Sequence, residues 1–341
     1  MAETATTTLP AITTHPPVVT LAQVVCQLET LYPLRYAENW DHPGLIIGNP
    51  LQTIRHIYCA VDPSLDVVRE AIDWGADLLI THHPLWFRPT HTISGTGHRG
   101  AVANLLIKNH CALWVGHTNA DAAYRGVSEA LADKLGVLDQ KPIAPIDDPT
   151  SAHKVGEGRV GHLAEPMSLL EFARRVNAAI PPTRRGIDVA GDLDMPVQRV
   201  AVLGGSGDSL FNEVRAANVD VYVTSDLRHH PVLDARQQAQ REAELRAHGV
   251  DVSESLIAGA KETGYRVQGR TYARPAFINT PHYASEKVWF DDALQDIPAA
   301  IKQATGVDVD IALSPTDTDP WTLHLDSPTE PVMPQPDPLL G

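Results

Sequence analysis

The chain has 341 residues, of which 43% are hydrophobic and 20% are charged, an ordinary composition for a folded protein with room for two cores. Its 27 basic and 42 acidic side chains give a formal net charge of -15, which argues against a nucleic-acid-binding surface but still allows a local basic pocket for a phosphorylated small molecule. The longest apolar runs are too short to span a membrane, so no membrane partner is expected.

Composition also suggests a compartment and an outline of domains. The three dispersed cysteines, Cys26, Cys59 and Cys111, are typical of reduced core residues in a cytoplasmic protein. Residues 1–17 lack the pattern of a signal peptide, and we expect them to form a disordered tail, as we do for the proline-rich and acidic residues 326–341. The remainder divides into a first α/β repeat, 18–145, and a second, 146–325.

The first repeat begins with an amphipathic helix at about 21–31. A predicted strand at 57–61 is followed by a helix with its apolar residues on one face, and Gly75 stands where a left-handed residue ends that helix. Apolar runs at 78–81 and 112–115 predict two more buried strands. A further helix is predicted around Val127, Leu131 and Leu135.

The second repeat follows the same order. Its first helix, at about 169–180, opens with Ser168 and Glu171 in capping-box spacing. A strand, a glycine turn, a helix ending at Asn218, and strands at 219–224 and 276–278 come next, and a largely helical, solvent-facing insertion is expected at about 236–270. Buried strands joined by helices indicate mostly parallel sheets. The sequence therefore predicts an α/β fold built from a duplicated unit.

Polar clusters follow the predicted strands of both repeats, where ligands collect in α/β sheets. They are His82-His83, His117–Asp121, Asp226 with His229-His230, and His282 with Glu286. Adjacent imidazoles on extended backbone point in different directions, so His82 and His83 could each serve a different ion. Taken singly, each cluster is more simply interpreted as a helix cap or a surface pair.

Taken together, imidazoles and carboxylates without thiolates are ligands that zinc, manganese and iron accept, and Glu286 could bridge two ions. Two ions about 3.5–4 Å apart would activate water and polarise a carbonyl, a phosphoryl group or a ring carbon. The residues thus indicate metal-assisted hydrolysis as the reaction class.

Six motifs carry a resemblance to a known family: Trp40-Asp41-His42-Pro43-Gly44-Leu45, the run from Gly75 to Leu85, the run from His117 to Ala123, Gly204-Gly205-Ser206-Gly207, Thr224-Ser225-Asp226, and the run from Pro281 to Glu286. Through these motifs the chain resembles, from about 21 to 325, the GTP cyclohydrolase I type 2 homologue family, also called the NGG-interacting-factor-three-like proteins. Ser225, Asn279 and Pro281 depart from the family's usual residues, and Pro281 could re-aim His282.

The resemblance implies a fold of two intertwined α/β repeats with mixed, mostly parallel sheets in three α/β/α layers. It implies two divalent metal ions per subunit (zinc, iron or manganese), lying between the halves, and a toroidal homohexamer built from dimers. The ligands it implies are His82, His83, Asp121, His282 and Glu286.

The other polar residues have simpler interpretations. Asp41 and His42 are predicted to shape a turn on which Trp40 packs, and the glycine turn 204–207 to be structural, because it lacks the lysine of a phosphate-binding loop. His117 and Asn119 are candidates for orienting ligands. Capping or surface roles are expected for Asp226, His229 and His230, and exposed positions near the entrance for His91 and His98.

Two functions remain open at the level of sequence. One is a metal-dependent hydrolase, with ring-opening hydrolysis of GTP and release of formate as the version that the resemblance names. A phosphoesterase or an amidohydrolase acting on another small molecule would use the same residues. The other is a metal-binding scaffold or regulatory partner without turnover. The sequence does not select between them.

Overall fold

Two large mixed β-sheets with helices packed against them, and two antiparallel two-stranded sheets, form the described part of the protein. In this computed structural model, residues 18–250 and 272–326 are described. The predicted tail 1–17, residues 327–341 of the other predicted tail, and most of the predicted insertion lie outside the described residues. The mixed α/β fold class predicted from the sequence is confirmed.

The described strands are β1 (Val19–Thr20), β2 (Gly44–Ile47), β3 (Thr53–Ile54), β4 (His56–Ala60), β5 (Leu78–Thr81), β6 (Ala112–Val115), β7 (Leu138–Lys141), β8 (Ala144–Ile146), β9 (Val155–Glu157), β10 (Arg159–Ser168), β11 (Asp188–Ala190), β12 (Pro196–Ser206), β13 (Val221–Ser225), β14 (Ala276–Thr280) and β15 (Asp310–Leu313). The described α-helices are α1 (Leu21–Leu31), α2 (Leu65–Trp74), α3 (His98–Lys108), α4 (Thr118–Ala122), α5 (Val127–Leu135), α6 (Leu169–Ala179), α7 (Phe211–Ala216), α8 (His229–Ala247), α9 (His282–Lys287) and α10 (Phe290–Thr305).

The first sheet has the strand order β15-β4-β5-β6-β2, and the second has the order β11-β14-β13-β12-β10-β7. Strands β15, β4, β5 and β6 run parallel, as do β12, β13 and β14, and the remaining strands of each sheet pair antiparallel at its sides. The parallel strands β5 and β6 are buried along their whole length, which is why they appear in the sequence as continuous apolar runs.

Local signals in the sequence fix several helix ends. Ser168 and Glu171 form the capping box expected at α6, and Thr20 forms a second one with Gln23 at α1. Gly75 ends α2 in the left-handed conformation, with φ of 87°, and Asn218 has φ of 51° after α7. The two repeats therefore share the residues that begin and end their helices as well as their order of elements.

The two sheets exchange elements. Strand β7, from the predicted first repeat, joins the second sheet, whereas β15, near the end of the chain, joins the first. Helix α10 also returns to the first half, where Phe290 and Ile297 share an apolar core with Leu28 of α1. Tyr32 packs edge-to-face on Trp289 with ring centroids 5.1 Å apart. The repeats are thus intertwined, and the predicted division at residues 145 and 146 does not separate the sheets.

Helix α8 lies between β13 and β14 in the chain and includes the first residues of the predicted insertion, 236–270. Residues 251–270 of that insertion lie outside the described residues. One sequence expectation is wrong: Cys26 is exposed, whereas Cys59 and Cys111 are buried as expected. No helix within 18–250 and 272–326 is long and apolar enough to cross a membrane.

Candidate metal centre

The five predicted ligands come together at the carboxyl ends of strands from both sheets. His82 and His83 directly follow β5, and Asp121 lies in α4, the helix that follows β6. His282 and Glu286 lie on α9, which follows β14 of the second sheet. Parallel strands place their carboxyl ends at one edge of a sheet, which explains why residues so distant in sequence converge.

Glu286 is at the centre of the cluster. Its Oε1 lies 3.3 Å from His82 Nε2 and 2.9 Å from His282 Nε2, and its Oε2 lies 3.0 Å from His83 Nε2. The Nε2 atoms of His83 and His282 are 3.1 Å apart, and Asp121 Oδ1 lies 3.8 Å from His82 Nε2. One carboxylate therefore faces three imidazoles, the arrangement that a ligand shared by two ions requires.

Two of these atoms are buried without a hydrogen bond. His82 Nε2 and Asp121 Oδ1 have no hydrogen-bond partner within the described part of the chain, and Glu286 Oε2 has the ion-pair contact with His83 Nε2 at 3.0 Å. A buried polar atom without a partner costs free energy, and a cation coordinated by these atoms would remove that cost. The mixed nitrogen and oxygen donors suit a divalent transition metal. The residues present therefore fit a metal centre.

Three of the imidazoles are oriented by oxygen atoms that lie next to their Nδ1 atoms, on the side away from Glu286. Nδ1 of His82 lies 2.8 Å from the Gly116 carbonyl oxygen, Nδ1 of His83 lies 2.7 Å from Asp62 Oδ1, and Nδ1 of His282 lies 2.8 Å from Asp226 Oδ2. An oxygen in that position accepts the Nδ1 proton and leaves the Nε2 lone pair for a metal. The same device at three rings points their Nε2 atoms towards Glu286.

One sequence interpretation of this region is confirmed and another needs correction. Asp226 lies on the surface as expected, with 59% of its side chain exposed, and its Oδ2 also lies 2.8 Å from His282 Nδ1. Pro281 does not turn His282 away, because the ring stays within 2.9 Å of Glu286. His229 and His230 lie exposed at the start of α8, in keeping with a surface role.

His117 occupies the edge of the cluster. Its Nδ1 lies 2.9 Å from Asp41 Oδ2, which also accepts hydrogen bonds from the hydroxyl and the backbone N–H of Thr118. A ligand atom of His117 lies within 4.8 Å of those of His82 and His83. Asp41 is thus a buried partner of a histidine as well as part of a turn. The neighbouring Trp40 packs edge-to-face on the His117 ring, with centroids 5.9 Å apart, and is 56% exposed on its other side.

Asn119, the other candidate for orienting a ligand, has a structural role instead. Its side-chain oxygen accepts from the His117 backbone N–H at 3.0 Å, and its amide donates to the Tyr32 carbonyl at 2.8 Å. It therefore fixes the loop before α4.

Two further residues shape the centre: Asp62, which was not singled out from the sequence, and Gly205 of the predicted glycine turn. Asp62 orients His83, and its place two residues after β4 is the same strand-end signal that revealed the other clusters. Gly205, with φ of 72°, approaches Glu286 so closely that a Cβ there would lie 2.4 Å from Oε1. The glycine turn is structural, as expected, and it also forms one wall of the centre.

Charge coupling inside the cluster is strong. Burial lowers the pKa of His83 and of His282, but the Glu286 carboxylate outweighs burial and raises these pKa values to about 10 and about 11. Burial raises the pKa of Glu286, yet the three imidazoles hold it well below its ordinary range. Burial and the Glu286 charge raise the pKa of Asp121. Protons on His83 and His282 therefore balance Glu286, and a divalent cation would take their place.

A cleft of about 620 Å³ opens beside the cluster, within the size range of small-molecule sites. His83 and His282 form part of its wall, and the side chains of Phe87, Arg99 and Trp321 lie around it. His98 also lines the cleft, at the start of α3. A small molecule in this cleft would reach the imidazoles that face Glu286.

The fold and site define a two-sheet α/β protein with a buried imidazole–carboxylate centre at strand ends. A sequence model described as Duf34/NIF3 (NGG1p interacting factor 3) matches residues 19–246. The chain belongs to this family.

Similar proteins support this family membership. It is 40% identical over 315 residues, 92% of this chain and 98% of the relative, to a Streptomyces coelicolor protein named GTP cyclohydrolase 1 type 2 homolog. A Mycobacterium tuberculosis protein of the same name is 28% identical, covering 89% of this chain and 97% of its own. A Bacillus cereus protein related to NIF3 shares the fold, with a TM-score of 0.71, 22% identity and coverage of 91% of this chain and 100% of its own.

Proposed function

We propose that each subunit binds two divalent metal ions through His82, His83, Asp121, His282 and Glu286, and that the protein is a metal-dependent hydrolase. The observation that carries the proposal is the convergence of three imidazoles on the buried Glu286 carboxylate, beside buried, unpaired ligand atoms on His82 and Asp121. Such atoms are costly in a folded protein unless a cation satisfies them.

The residues of the proposed site have different roles. Glu286 contacts imidazoles with both carboxylate oxygens, which suits it to bridge two ions. His82 and Asp121 lie towards one oxygen, and His83 lies against the other. When bound, divalent ions in such a site supply Lewis acidity and lower the pKa of water. The cleft beside His83 and His282 admits the substrate.

The reaction that the relatives' name suggests is ring-opening hydrolysis of GTP with release of formate, in the cytoplasm. The support for this choice is the name GTP cyclohydrolase 1 type 2 homolog, carried by a relative that is 40% identical over most of the chain. The cleft volume is compatible with a nucleotide.

Metal content tests the first part of the proposal. Elemental analysis of the purified wild type is expected to give about two divalent ions per chain, since five ligands in this geometry suit a two-metal site. Asp121→Ala and His82→Ala are expected to lose at least one of them. A wild-type protein that stays metal-free after incubation with zinc, manganese or ferrous ions would end the proposal.

Formate release tests the second part. Metal-loaded wild type incubated with GTP is expected to release formate, and the Asp121→Ala protein is expected to lose this activity. Release that is equal in the two proteins would point to a contaminating enzyme. A metal-replete protein that leaves GTP intact would remove GTP as substrate while leaving the metal centre in place.

A second function is favoured by one observation. The ligands come from both sheets, His82 and His83 from the first and His282 and Glu286 from the second, so bound ions would also tie the halves together. A non-catalytic scaffold or regulatory partner would use the ions in this way. Metal-dependent thermal stability, with no turnover across a panel of nucleotides, phosphate esters and amides, would favour it.

We also propose that the chain assembles into a toroidal homohexamer, as its membership of the family suggests. The proposed substrate is a nucleotide or another small molecule, and neither nucleic acid nor a membrane is proposed as a partner.

A further inference from the structure

The segment that follows β15 runs from the first sheet to the candidate metal centre, and residues 314–321 are called the C-terminal strap below. Ser314 Oγ donates to Glu70 Oε2 of α2 at 2.5 Å. Further along, the Tyr283 hydroxyl of α9 donates to the Thr316 carbonyl oxygen at 3.2 Å. The strap is therefore attached to a helix of the first half and to the helix that carries two candidate ligands.

Between these attachments and the cleft, Thr318 reaches the residue behind His83. Its hydroxyl donates to Asp62 Oδ2, while Asp62 Oδ1 lies 2.7 Å from His83 Nδ1. Across the same ring, His83 Nε2 lies 3.0 Å from Glu286 Oε2 and 3.1 Å from His282 Nε2. A relay of two hydrogen bonds thus connects the strap with the centre, through Thr318 and Asp62, which are 256 positions apart in sequence.

The direction of this relay follows from the chemistry of its groups. An ionised carboxylate only accepts hydrogen bonds, so Asp62 accepts one from the Thr318 hydroxyl and one from His83 Nδ1–H. Two donors on opposite oxygens hold the carboxylate in one orientation. His83 then keeps its proton on Nδ1 and presents the Nε2 lone pair to a metal.

A second histidine of the cluster is held by the same two residue types, an aspartate and a threonine. At His117, Nδ1 lies 2.9 Å from Asp41 Oδ2, and the Thr118 hydroxyl donates to that same oxygen at 2.7 Å. There the threonine is the immediate neighbour of the histidine, whereas for His83 it comes from the C-terminal strap. The threonine–aspartate–histidine arrangement therefore occurs twice in one cluster.

We propose that Thr318 is a positioning residue of the metal centre, which orients His83 through Asp62, and that the C-terminal strap completes the centre. The inference rests on the proposed metal-binding function. It adds a residue that lies beyond the two sheets and outside every motif singled out from the sequence. Partners in this position behind a metal ligand typically change metal affinity by about 10–100-fold.

The test compares metal affinity, measured by competition with a chromophoric chelator, in Thr318→Val, Thr318→Ser and wild type. Valine keeps the branched shape and removes the hydroxyl, so affinity for at least one of the two ions is expected to fall about ten-fold or more. Serine keeps the hydroxyl and is expected to restore most of the affinity. Thr322→Val, at an exposed position just past the strap, is the matched control and should bind as wild type does.

A double-mutant comparison shows whether Thr318 acts through Asp62. In an Asp62→Ala background, Thr318→Val is expected to cause no further loss, because its partner is already gone. Circular dichroism and the thermal midpoint of the metal-free variants check the fold, and Thr318→Ala replaces the valine variant if that variant does not fold.

The outcomes are separable. A wild type that binds no metal overturns the proposed centre itself. A wild type that binds two ions, beside a folded Thr318→Val or Thr318→Ala protein of equal affinity, overturns only the role of Thr318. Additive losses in the Asp62→Ala background also overturn it, because they would mean that Thr318 acts by another route.

Discussion

Glu286 shows how one buried side chain can organise a site. It lies among three imidazoles, and its charge, together with that of Asp62 at His83 and of Asp226 at His282, raises the pKa values of these two histidines. Little room is left around it, since Gly205 contacts it from the second sheet. Position, charge and close packing at this residue are therefore linked, and each can be tested separately.

Gly205→Ala tests the packing around Glu286. The added Cβ would lie 2.4 Å from Oε1, so the carboxylate must shift and metal affinity is expected to fall about ten-fold or more. The left-handed backbone, with φ of 72°, adds a strain of about 1–2 kcal/mol for any non-glycine residue. Chelator competition and thermal unfolding measure the two effects.

Gly306→Ala separates strain from displacement of the ligand. Gly306 has a similar φ of 75°, but a Cβ added there would have no atom within 4 Å. Its alanine variant should lose similar stability and keep wild-type metal affinity. Equal metal affinity in the two alanine variants would contradict the contact assigned to Gly205.

The raised histidine pKa values predict opposite pH responses of the metal-free and metal-loaded protein. Histidine whose pKa is raised on folding stabilises the protein fully below its ordinary value of 6.5, and the contribution disappears as pH rises through the folded value. For His83 and His282 that loss extends from about 6.5 to about 10 and about 11. Asp121, whose pKa is also raised, acts in the same direction above its ordinary value of 3.8.

The thermal midpoint of the chelator-treated protein is therefore expected to fall between about pH 6.5 and about pH 9, while metal affinity rises over the same range because protons no longer compete. Metal addition near pH 7 should also release about two protons per chain, measurable in weak buffer. A metal-free protein that becomes more stable as pH rises across this window would contradict the assignment.

At the scale of elements, the two capping boxes stabilise corresponding helices of the two halves. In each, a hydroxyl accepts from a backbone N–H in the first turn and a longer side chain reaches back, as in Ser168 with Glu171 and Thr20 with Gln23. Such caps are local, since they depend on residues three positions apart. They lie far from the metal ligands in sequence and act on stability alone.

Ser168→Ala is expected to lower the free energy of unfolding by about 1 kcal/mol, because α6 loses its cap. Ser168→Thr keeps the hydroxyl and should lose much less. Urea denaturation measures both, and metal content should stay at the wild-type value. A change in metal content in either variant would show that α6 influences the centre.

Elements and candidate ligands that depend on local pattern could be predicted from the sequence. His82 and His83 directly follow an apolar run, and His282 with Glu286 have helical spacing, so both could be recognised without knowing the fold. Asp41 and Thr318 could not, because their roles depend on partners 76 and 256 positions away in sequence. Asp62 had a local signal, its place two residues after β4, but it stands there as a single polar residue without a neighbouring histidine.

For the whole molecule, the path of the last helix and strand could not be predicted from periodicity. Amphipathic residues indicate that a helix buries one face, but they do not say against which sheet. Phe290 and Ile297 of α10 pack in the first core, and β15 extends the first sheet. That return of the chain brings the C-terminal strap to α2 and α9, a consequence of topology rather than of any motif.

The proposed hexamer gives a prediction at this scale. Six copies of the 37.0 kDa chain have a mass of about 222 kDa, which size-exclusion chromatography with light scattering is expected to find in the wild type. A mass near that of one chain at micromolar concentration would refute the assembly. Repeating the measurement after chelation would show whether the ions contribute to it.

The order in which the candidate ligands leave the ribosome has a consequence for when the proposed metal centre can form. His82, His83 and Asp121 are synthesised early, but His282 and Glu286 emerge about 160 residues after Asp121, and Thr318 later still. A nascent chain therefore cannot form the five-residue cluster before Glu286 has been synthesised. On the proposed function, the complete site is open to metal only after that point, and any product truncated before residue 282 carries imidazoles without the carboxylate that balances them.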